Sequence, residues 1–460
     1  VMFFWGVGKP FIHKGAGYVC ASKVGGFGAG FFVQDEGVLF RCANLLTEPD
    51  PAKHEWETLP DGDVGLRTPQ DGGPIAGEFN ATPMNDGSLY GTYRTIDGWS
   101  CHAISRDDGH HWESDWMRYR PGGRRVKNPR SANFVRRFSN GKYIYWYCFH
   151  GGRQLGEHPD AAGGAAYAHR NPIWMCGGIE KDGTIHWSEP EIILYADKIG
   201  DRMSYPDFIE ESDGRYYLTE TQKTIARIHE LDAGMLEAMW NQHEAAAVTR
   251  EGLAAAWDGE SATLTMPDLP YIHNRGSAYV DGGTGATVEG EGRAAVPARG
   301  GFTVDCVVRF DELSPWQILF DSRDDEGCGM LLQLTDRQTL RLSMTGRLYD
   351  EPGARVGNSF ADNAWDCDPG LLQAGKQHHL TFIVDGGPKT ISVVLDGQLC
   401  DGGDRRQFGW GRFHPCLRDV NGAREARVAP TLKGQLLKLR IYDRYLWTSE
   451  AVAMHRVEAE

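Results

Sequence analysis

The first half of the chain repeats one pattern of polar and hydrophobic positions. Four segments begin with a polar residue or two and a Gly, and then alternate aromatic and aliphatic residues: DEGVLFRCA (35–43), NDGSLYGTYR (85–94), SNGKYIYWYC (139–148) and SDGRYYLTET (212–221). A polar turn with Gly leading into period-2 alternation is typical of a β-hairpin. The segments lie roughly 50–75 residues apart, which is the spacing of four-stranded propeller blades.

The second half alternates just as regularly. GGFTVDCVVRF (300–310), HHLTFIVDG (378–386), TISVVLDG (390–397) and GQLLKLRIYDRYL (434–446) predict strands of two packed antiparallel sheets. Between the halves, residues 227–247 combine helix formers with apolar i, i+3, i+4 spacing, which predicts a helix leading out of the first domain. We therefore predict an all-β protein: a propeller of five or six blades over 1–230, a helical linker over 231–261 and a β-sandwich over 262–460.

Composition narrows the function classes. The 460 residues include 58 Gly, 14 Trp and 17 Tyr, which suits tight turns and aromatic surfaces for sugars. The net charge of −15 and the lack of a basic stripe argue against nucleic acid, whereas local arginine clusters leave anionic substrates open. We find no transmembrane-length apolar run and no signal peptide. The ten cysteines lack zinc spacing, and buried free thiols are a simpler interpretation than disulfides.

The stretch SRDDGHHW (105–112) predicts a tight hairpin turn, because Ser105 and Asp107 can bind backbone N–H groups while Gly109 bends the chain and Trp112 packs beneath it. This stretch resembles the Asp-box of sialidases and other BNR-repeat propellers, in which it marks a blade hairpin and not the chemistry. The second half, from FTVDCVVRF to LKLRIYDRYLWTSEAV, resembles a LamG-like, concanavalin-like jelly roll over about residues 262–456.

The sialidase resemblance implies three site residues. GEFNATPMNDGSLYGTYR matches the family's Glu before a DG turn and its Arg at the strand end, giving Glu78 and Arg94, and MSYPDFIEESDGRYYLTE supplies the nucleophile Tyr205. A carboxylate that takes the phenolic proton activates such a nucleophile, and arginine grips a substrate carboxylate with a bidentate fork. The family's early Arg-Ile-Pro segment is not found in residues 1–45. A structural Tyr at a strand start is the simpler alternative for Tyr205.

Further candidates come from loops that enter predicted inner strands. KNPRSANF (127–134) and AYAHRNPIW (166–174) place Asn-Pro beside Arg, and YWYCFHGG ends in a His that is a hydrogen-bond donor or acid/base, or else a structural residue. Asp207 is predicted to share a strand face with Tyr205 and to act as acid/base, and Glu220 to face the propeller axis. The remaining substrate-binding candidates are Arg130, His169, Arg170, Asn171 and Arg202, and the acid/base His is His150.

The second domain shows no catalytic pairing. Asp321, Asp324 and Asp325 are turn acids for which a solvated loop is the simpler interpretation and calcium binding the alternative. Trp365 and Trp410 are candidates for stacking on sugars, with a core position equally open. No cofactor is expected for the first domain.

These observations favour a carbohydrate-active enzyme, an exo-acting glycoside hydrolase on an acidic sugar, secreted or periplasmic by resemblance. Two alternatives stay open. A polysaccharide lyase would cleave a uronic-acid linkage with His150 and Tyr205 or Tyr147, and a non-catalytic protein would only bind glycan. The oligomeric state and the identity of the sugar are not determined by the sequence.

Overall fold

The computed structural model describes residues 2–4, 6–24, 34–152, 169–196, 200–221, 226–257, 259–272, 279–280, 300–349, 355–404 and 406–459. Nearly all regular structure in these residues is β, which confirms the predicted fold class. The chain divides into two compact units, Val1–Trp240 with Ala278–Val288, and Asn241–Ser277 with Glu289–Glu460. Of the stretch predicted as a linker, residues 231–240 lie in the first unit and 241–261 in the second.

The described part of the first unit contains four antiparallel sheets whose main strands follow chain order, as in propeller blades. Their strands, numbered in chain order, are β1 Met2–Phe4, β2 Phe11–His13, β3 Ala16–Val24, β4 Asp35–Cys42 and β5 Trp56–Leu59; β6 Gly77–Pro83, β7 Leu89–Arg94, β8 Cys101–Ser105 and β9 Glu113–Trp116; β10 Phe134–Arg137, β11 Tyr143–Tyr147, β12 Ile173–Lys181, β13 Thr184–Trp187 and β14 Glu191–Leu194; β15 Ser204–Glu210, β16 Tyr216–Thr221, β17 Ala226–Leu231 and β20 Tyr279–Val280. Five or six blades were predicted, and the described residues of this unit form four sheets, separated by long connections such as 60–76 and 117–133.

In the described residues of this unit, the helix α1 Ala233–Trp240 follows β17, and a short 3-10 helix spans Pro51–Lys53. The helix begins later than predicted, because residues 226–231 pair with β16 as a strand. Met239 and Trp240 pack against Gly177 of β12, where a side chain larger than hydrogen would meet Met239 at 2.8 Å. The apolar periodicity of this segment therefore reflects a helix that closes over the third sheet.

The SRDDGHHW turn has the predicted hydrogen bonds. The Ser105 hydroxyl donates to Asp107 Oδ1 and accepts from the Gly109 N–H, both at 2.9 Å. The Trp112 indole N–H donates to the Gly109 carbonyl at 2.8 Å, and its ring meets Phe79 edge-on at 5.5 Å. The turn thus ties the outer hairpin of the second sheet to the core beneath it.

In the described residues of the second unit, the strands form two sheets of seven strands each. One consists of β18 Leu253–Ala256, β21 Gly301–Phe310, β26 Gln377–Asp385, β27 Thr390–Leu395, β28 Gln398–Leu399, β29 Gly411–Arg412 and β32 Gly434–Tyr442; the other of β19 Thr263–Thr265, β22 Ile318–Asp321, β23 Gly329–Leu334, β24 Leu340–Tyr349, β25 Arg355–Asp366, β30 Leu417–Asp419 and β31 Glu425–Val428. Side chains of both sheets share one apolar core, including Val304, Phe382 and Leu342, as the alternating pattern predicts. A helix, α2 Thr448–Glu458, ends the described chain.

Candidate functional site

Glu78 occupies a bulge in β6, the first strand of the second sheet. Gly77 pairs with Arg94 and Asn80 with Thr92, so that Glu78 and Phe79 together oppose one residue of β7. Glu78 has a φ of 54°, which a residue with a side chain rarely adopts. The Glu78 backbone N–H donates to the Ser22 hydroxyl at 3.1 Å, which fixes this conformation from the neighbouring sheet.

Tyr205 occupies the matching position in β15, the first strand of the fourth sheet. Ser204 pairs with Thr221 and Asp207 with Thr219, so that two residues again oppose one, here Glu220. The φ of Tyr205 is 51°, nearly the value found at Glu78. Two strands of different sheets therefore carry the same local distortion at their second residue.

The two side chains meet although 127 residues separate them. The Tyr205 hydroxyl donates to Glu78 Oε1 at 3.3 Å, and Arg94 Nη1 lies 3.0 Å from Glu78 Oε2. Glu78 is only 1% exposed and Arg94 is also buried, whereas Tyr205 is half-buried. The phenol is thus the accessible end of a buried chain of three groups.

Arginines surround this pair. Arg94 and Arg170 both act electrostatically on Tyr205, and Arg170 Nη1 donates to the Ser204 hydroxyl at 2.7 Å. Arg94 and Arg130 both act on the buried carboxyl group of Asp35. Three of the predicted arginines therefore act on this group of residues: Arg94 pairs with Glu78, Arg170 acts on Tyr205, and Arg130 acts on Asp35.

Burial raises the pKa of Tyr205, and the negative charge of Glu78 raises it further, against the effect of Arg94 and Arg170. The hydroxyl is therefore protonated at neutral pH and poised to donate to Glu78. A phenol held in this way becomes a nucleophile only as its proton moves to the carboxylate.

Asp35 is a residue of this cluster that the sequence analysis did not single out. It begins β4, and its Oδ1 accepts a hydrogen bond from the Ala76 N–H at 2.7 Å. Burial raises the pKa of Asp35 to about 6, against the opposing effects of Arg94, the Ala76 N–H and Arg130. A methyl group at Gly77 would lie 2.6 Å from Asp35 Oδ2 and 3.4 Å from Arg94 Nε, so the glycine leaves room for both groups. The only sequence signal for Asp35 is an acid opening a repeated strand segment, which we interpreted as part of a turn.

Asp207 does not follow the predicted geometry. The bulge at Tyr205 interrupts the period-2 alternation that placed both side chains on one face. Asp207 instead forms an ion pair with Lys9 at 2.9 Å, in which both side chains are about two-fifths exposed.

His150 is engaged by the backbone. The Gly152 N–H donates to Nδ1 at 3.1 Å, and Nε2 is 2.9 Å from the His169 carbonyl, to which it donates. Burial lowers the pKa of His150 to about 3. A buried neutral imidazole with both nitrogens bound is a structural residue, so the predicted acid/base role for His150 is not supported.

Of the remaining candidate residues, some are buried in the fold and others are exposed to solvent. Asn171 is buried and exchanges two hydrogen bonds with the backbone of Ala196, which closes a loop. His169 and Arg202 are exposed. Glu220 is completely buried on β16, 3.6 Å from Arg227 and 3.8 Å from His229. It lies opposite the bulge at Tyr205, but none of the described side-chain contacts joins the two residues.

Two of the three turn acids considered for calcium, Asp321 and Asp324, are already engaged. Asp321 is bound by Arg323 and Arg427, and Asp324 Oδ1 accepts from the N–H groups of Glu326 and Cys328. In the described part of the chain, no group of three or more His, Cys, Asp or Glu side chains is placed to hold a metal ion. The calcium site stays a prediction that these contacts do not favour.

Trp410 is only 4% exposed and belongs to the core. Trp365 is half-buried, and its indole N–H donates to the Gly409 carbonyl at 2.9 Å. Both tryptophans proposed for stacking on sugars are therefore packed side chains. Neither of the two helices found in the described residues has the length and apolarity to cross a membrane.

Comparison with known proteins identifies the second unit. Residues 280–452 match the family model of the concanavalin A-like lectin/glucanases superfamily. The second unit is a concanavalin-like β-sandwich. The match confirms the fold predicted for this domain from its strand pattern, and it contributes no residue of the Glu78–Tyr205 cluster.

No curated protein matches the chain. Among solved structures, a Trypanosoma rangeli sialidase is similar at 12% identity with a TM-score of 0.27, covering 98% of this chain and 83% of that one. The CBM40 of the Ruminococcus gnavus IT-sialidase, bound to α2,3-sialyllactose, is similar at 14% identity with a TM-score of 0.25, covering 34% of this chain and 82% of that one. No residue role follows from similarities of this size.

Proposed function

We propose that this protein is a glycoside hydrolase acting on an acidic sugar. The observation that carries the proposal is the 3.3 Å hydrogen bond from the Tyr205 hydroxyl to a buried Glu78 that Arg94 flanks. A neutral nucleophile suits an anionic sugar, because a carboxylate nucleophile would repel it. Arg94, Arg130 and Arg170 are the groups proposed to hold the acid group of the substrate.

In the first step, Tyr205 Oη attacks the anomeric carbon, Glu78 takes the phenolic proton, and the bond to the leaving oxygen breaks. We assign the proton for that oxygen to Asp35 in place of Asp207, because Asp35 and Arg94 both lie against Gly77, next to Glu78, whereas Asp207 is paired with Lys9. The raised pKa of Asp35, about 6, is consistent with a carboxyl group that is still partly protonated near neutral pH. In the second step, water attacks the same carbon and the bond from that carbon to Tyr205 Oη breaks. Asp35 takes the water proton, and Glu78 returns its proton to the departing Tyr205 oxygen. Two displacements at one carbon retain its configuration.

The first test is the mass of the products after incubation with sialosides and acidic polysaccharides. A released sugar carrying one added water establishes hydrolysis. A product without that water that absorbs in the ultraviolet would replace the proposal by a lyase, and binding without any product would leave a glycan-binding protein.

Variants then test the roles. Tyr205→Phe and Glu78→Gln are each expected to lower kcat by about 10²–10⁴-fold, since each removes a group that moves a proton in the first step. Tyr217→Phe is the matched control, because Tyr217 is a similarly half-buried tyrosine on the neighbouring β16. Wild-type turnover in Tyr205→Phe would eliminate the nucleophile role.

A further inference from the structure

Trp316 is an exposed aromatic side chain held in a strained backbone. It is 58% exposed, the largest exposure of any tryptophan that the structure describes, and its φ is 70°. A left-handed backbone costs a residue with a side chain about 1–2 kcal/mol. Leaving the indole in water forfeits the stabilisation that its burial would give. Trp316 thus combines a strained backbone with an exposed indole ring, and backbone strain of this kind is often found at functional sites.

The backbone at Trp316 is firmly fixed. Its N–H donates to the Leu334 carbonyl at 2.8 Å. The next side chain, Gln317, is buried; its amide donates to the carbonyls of Glu312 and Ser314, both at 2.9 Å, and accepts from the Lys433 N–H at 2.7 Å. Among the described contacts none involves the Trp316 indole N–H, so the ring is presented to solvent from a rigid loop.

A row of cross-strand partners in this sheet begins next to the loop that carries Trp316. Ile318, Gln333, Arg341 and Asp366 are consecutive cross-strand partners on β22, β23, β24 and β25. Gln333 Nε2 donates to the Trp316 carbonyl at 3.4 Å, which places this row next to the loop.

Arg341 retains hydrogen-bonding capacity. Arg337 Nη2 donates hydrogen bonds to both carboxylate oxygens of Asp366, at 3.1 and 2.9 Å, whereas Arg341 Nη2 lies 3.6 Å from the same carboxylate. Two arginines therefore share one aspartate at this end of the row, and Arg341 is the more distant of the two. A half-exposed guanidinium with donors to spare is suited to a carboxylate ligand.

We propose that Trp316, Gln333 and Arg341 form a binding site for an acidic polysaccharide, separate from the Glu78–Tyr205 cluster. The apolar C–H face of a pyranose ring stacks on the indole, while amide and guanidinium donors bind hydroxyl and carboxylate oxygens. Strands are spaced about 4.8 Å apart, so the distance from β22 to β24 is about 10 Å, the length of a disaccharide. A protein partner is less favoured, because a single aromatic ring among polar side chains lacks the contiguous apolar centre of a protein interface.

The experiment measures the affinity of the full chain for polygalacturonate, alginate and hyaluronan, with dextran as the neutral polysaccharide. We expect binding to at least one acidic polymer, weakened about tenfold or more by Trp316→Gly. Glycine relieves the left-handed strain, so thermal stability should not fall and the loss is attributable to the ring. Arg341→Gln should weaken binding to the acidic polymer and leave that to dextran unchanged.

A matched variant completes the design. Trp56→Ala removes a tryptophan of the first unit that is 51% exposed, and should bind as wild type does. The inference is overturned if none of the acidic polymers binds, or if Trp316→Gly binds them as tightly as wild type.

Discussion

At the scale of single residues, Glu78 and Tyr205 share a conformation that neither would adopt alone. Each is left-handed and lies in a bulge that sets two residues against one. Such strain persists only where surrounding structure fixes it, and it clusters where side chains must point in unusual directions. Here it turns a carboxylate and a phenol from different sheets toward each other.

The pKa of Asp35 gives a prediction at this scale. Because the folded-state pKa is raised from 3.8 to about 6, the stability contributed by the protonated group is complete below pH 3.8 and is lost as the pH rises through 6. Asp35→Asn removes this dependence. The free energy of unfolding of the variant, minus that of the wild type, should therefore increase by up to about 3 kcal/mol as the pH rises from 4 to 7. Denaturant titrations at several pH values measure this difference.

The same variant tests the proton-donor role. Wild-type kcat should fall as the pH rises above about 6, the pKa of Asp35. In Asp35→Asn, kcat should be lower by about 10²–10⁴-fold and should no longer fall over this pH range. Asp207→Asn is the control, and its kcat should still fall over this range. An unchanged pH profile in Asp35→Asn would exclude it as the donor.

At the scale of elements, polar groups hold turns and helices to the sheets. The Ser105 hydroxyl is fully buried and bonds on both sides, to Asp107 and to the Gly109 N–H. Ser105→Ala leaves the Gly109 N–H without this acceptor, and should lower the free energy of unfolding by about 1–3 kcal/mol. Thermal unfolding checks this, and kcat should stay at the wild-type value because the turn does not touch the Glu78–Tyr205 cluster.

The helix α2 is held by a buried ionic network. Asp305 on β21 accepts from Thr381 at 2.8 Å and from Arg440 at 2.9 Å and contacts His379 at 2.6 Å, while Arg440 also binds Glu458 of α2. These partners, and above all His379, hold the pKa of Asp305 below its usual value against the effect of burial. The stability from this group is therefore present above pH 3.8 and lost as the pH falls through the lowered pKa.

Asp305→Asn should cost about 3–5 kcal/mol in the free energy of unfolding, because it removes a fully buried counter-charge from Arg440, whose side chain is only 12% exposed. Asp336→Asn is the control, since Asp336 is exposed in a turn of the same unit. Equal stability of the two variants at pH 7 would show that the network contributes nothing.

Hairpins and alternating strands were predictable from sequence because their signals are local: a polar turn with Gly, then period-2 alternation. The bulge at Tyr205 leaves no such signal, and it is why the alternation misplaced Asp207. Asp35 was missed for a related reason, since its raised pKa comes from burial by residues that folding brings around it, and burial leaves no local sequence signal. Glu78 and Tyr205 were found through a family resemblance and not through pattern.

At the scale of the whole molecule, the charge distribution opposes the proposed substrate. The chain carries a net charge of −15, whereas the candidate site gathers three arginines against two acids. At about 10 mM ionic strength the Debye length is roughly 30 Å and the substrate experiences the charge of the whole protein; at 0.15 M it is about 8 Å and only the nearby arginines count. Long-range repulsion should therefore weaken as salt is added, while the buried cluster is screened much less.

We accordingly expect kcat/KM for an anionic substrate to rise by a factor of about two to five between these salt concentrations. Its methyl ester, which is neutral, should show no such rise. Arg170→Gln should raise KM for the acid at every salt concentration, with Arg202→Gln as the exposed control. If kcat/KM for the acid fell with salt, attraction to the arginines would extend well beyond the site, and the net charge of the protein would not govern the encounter with substrate.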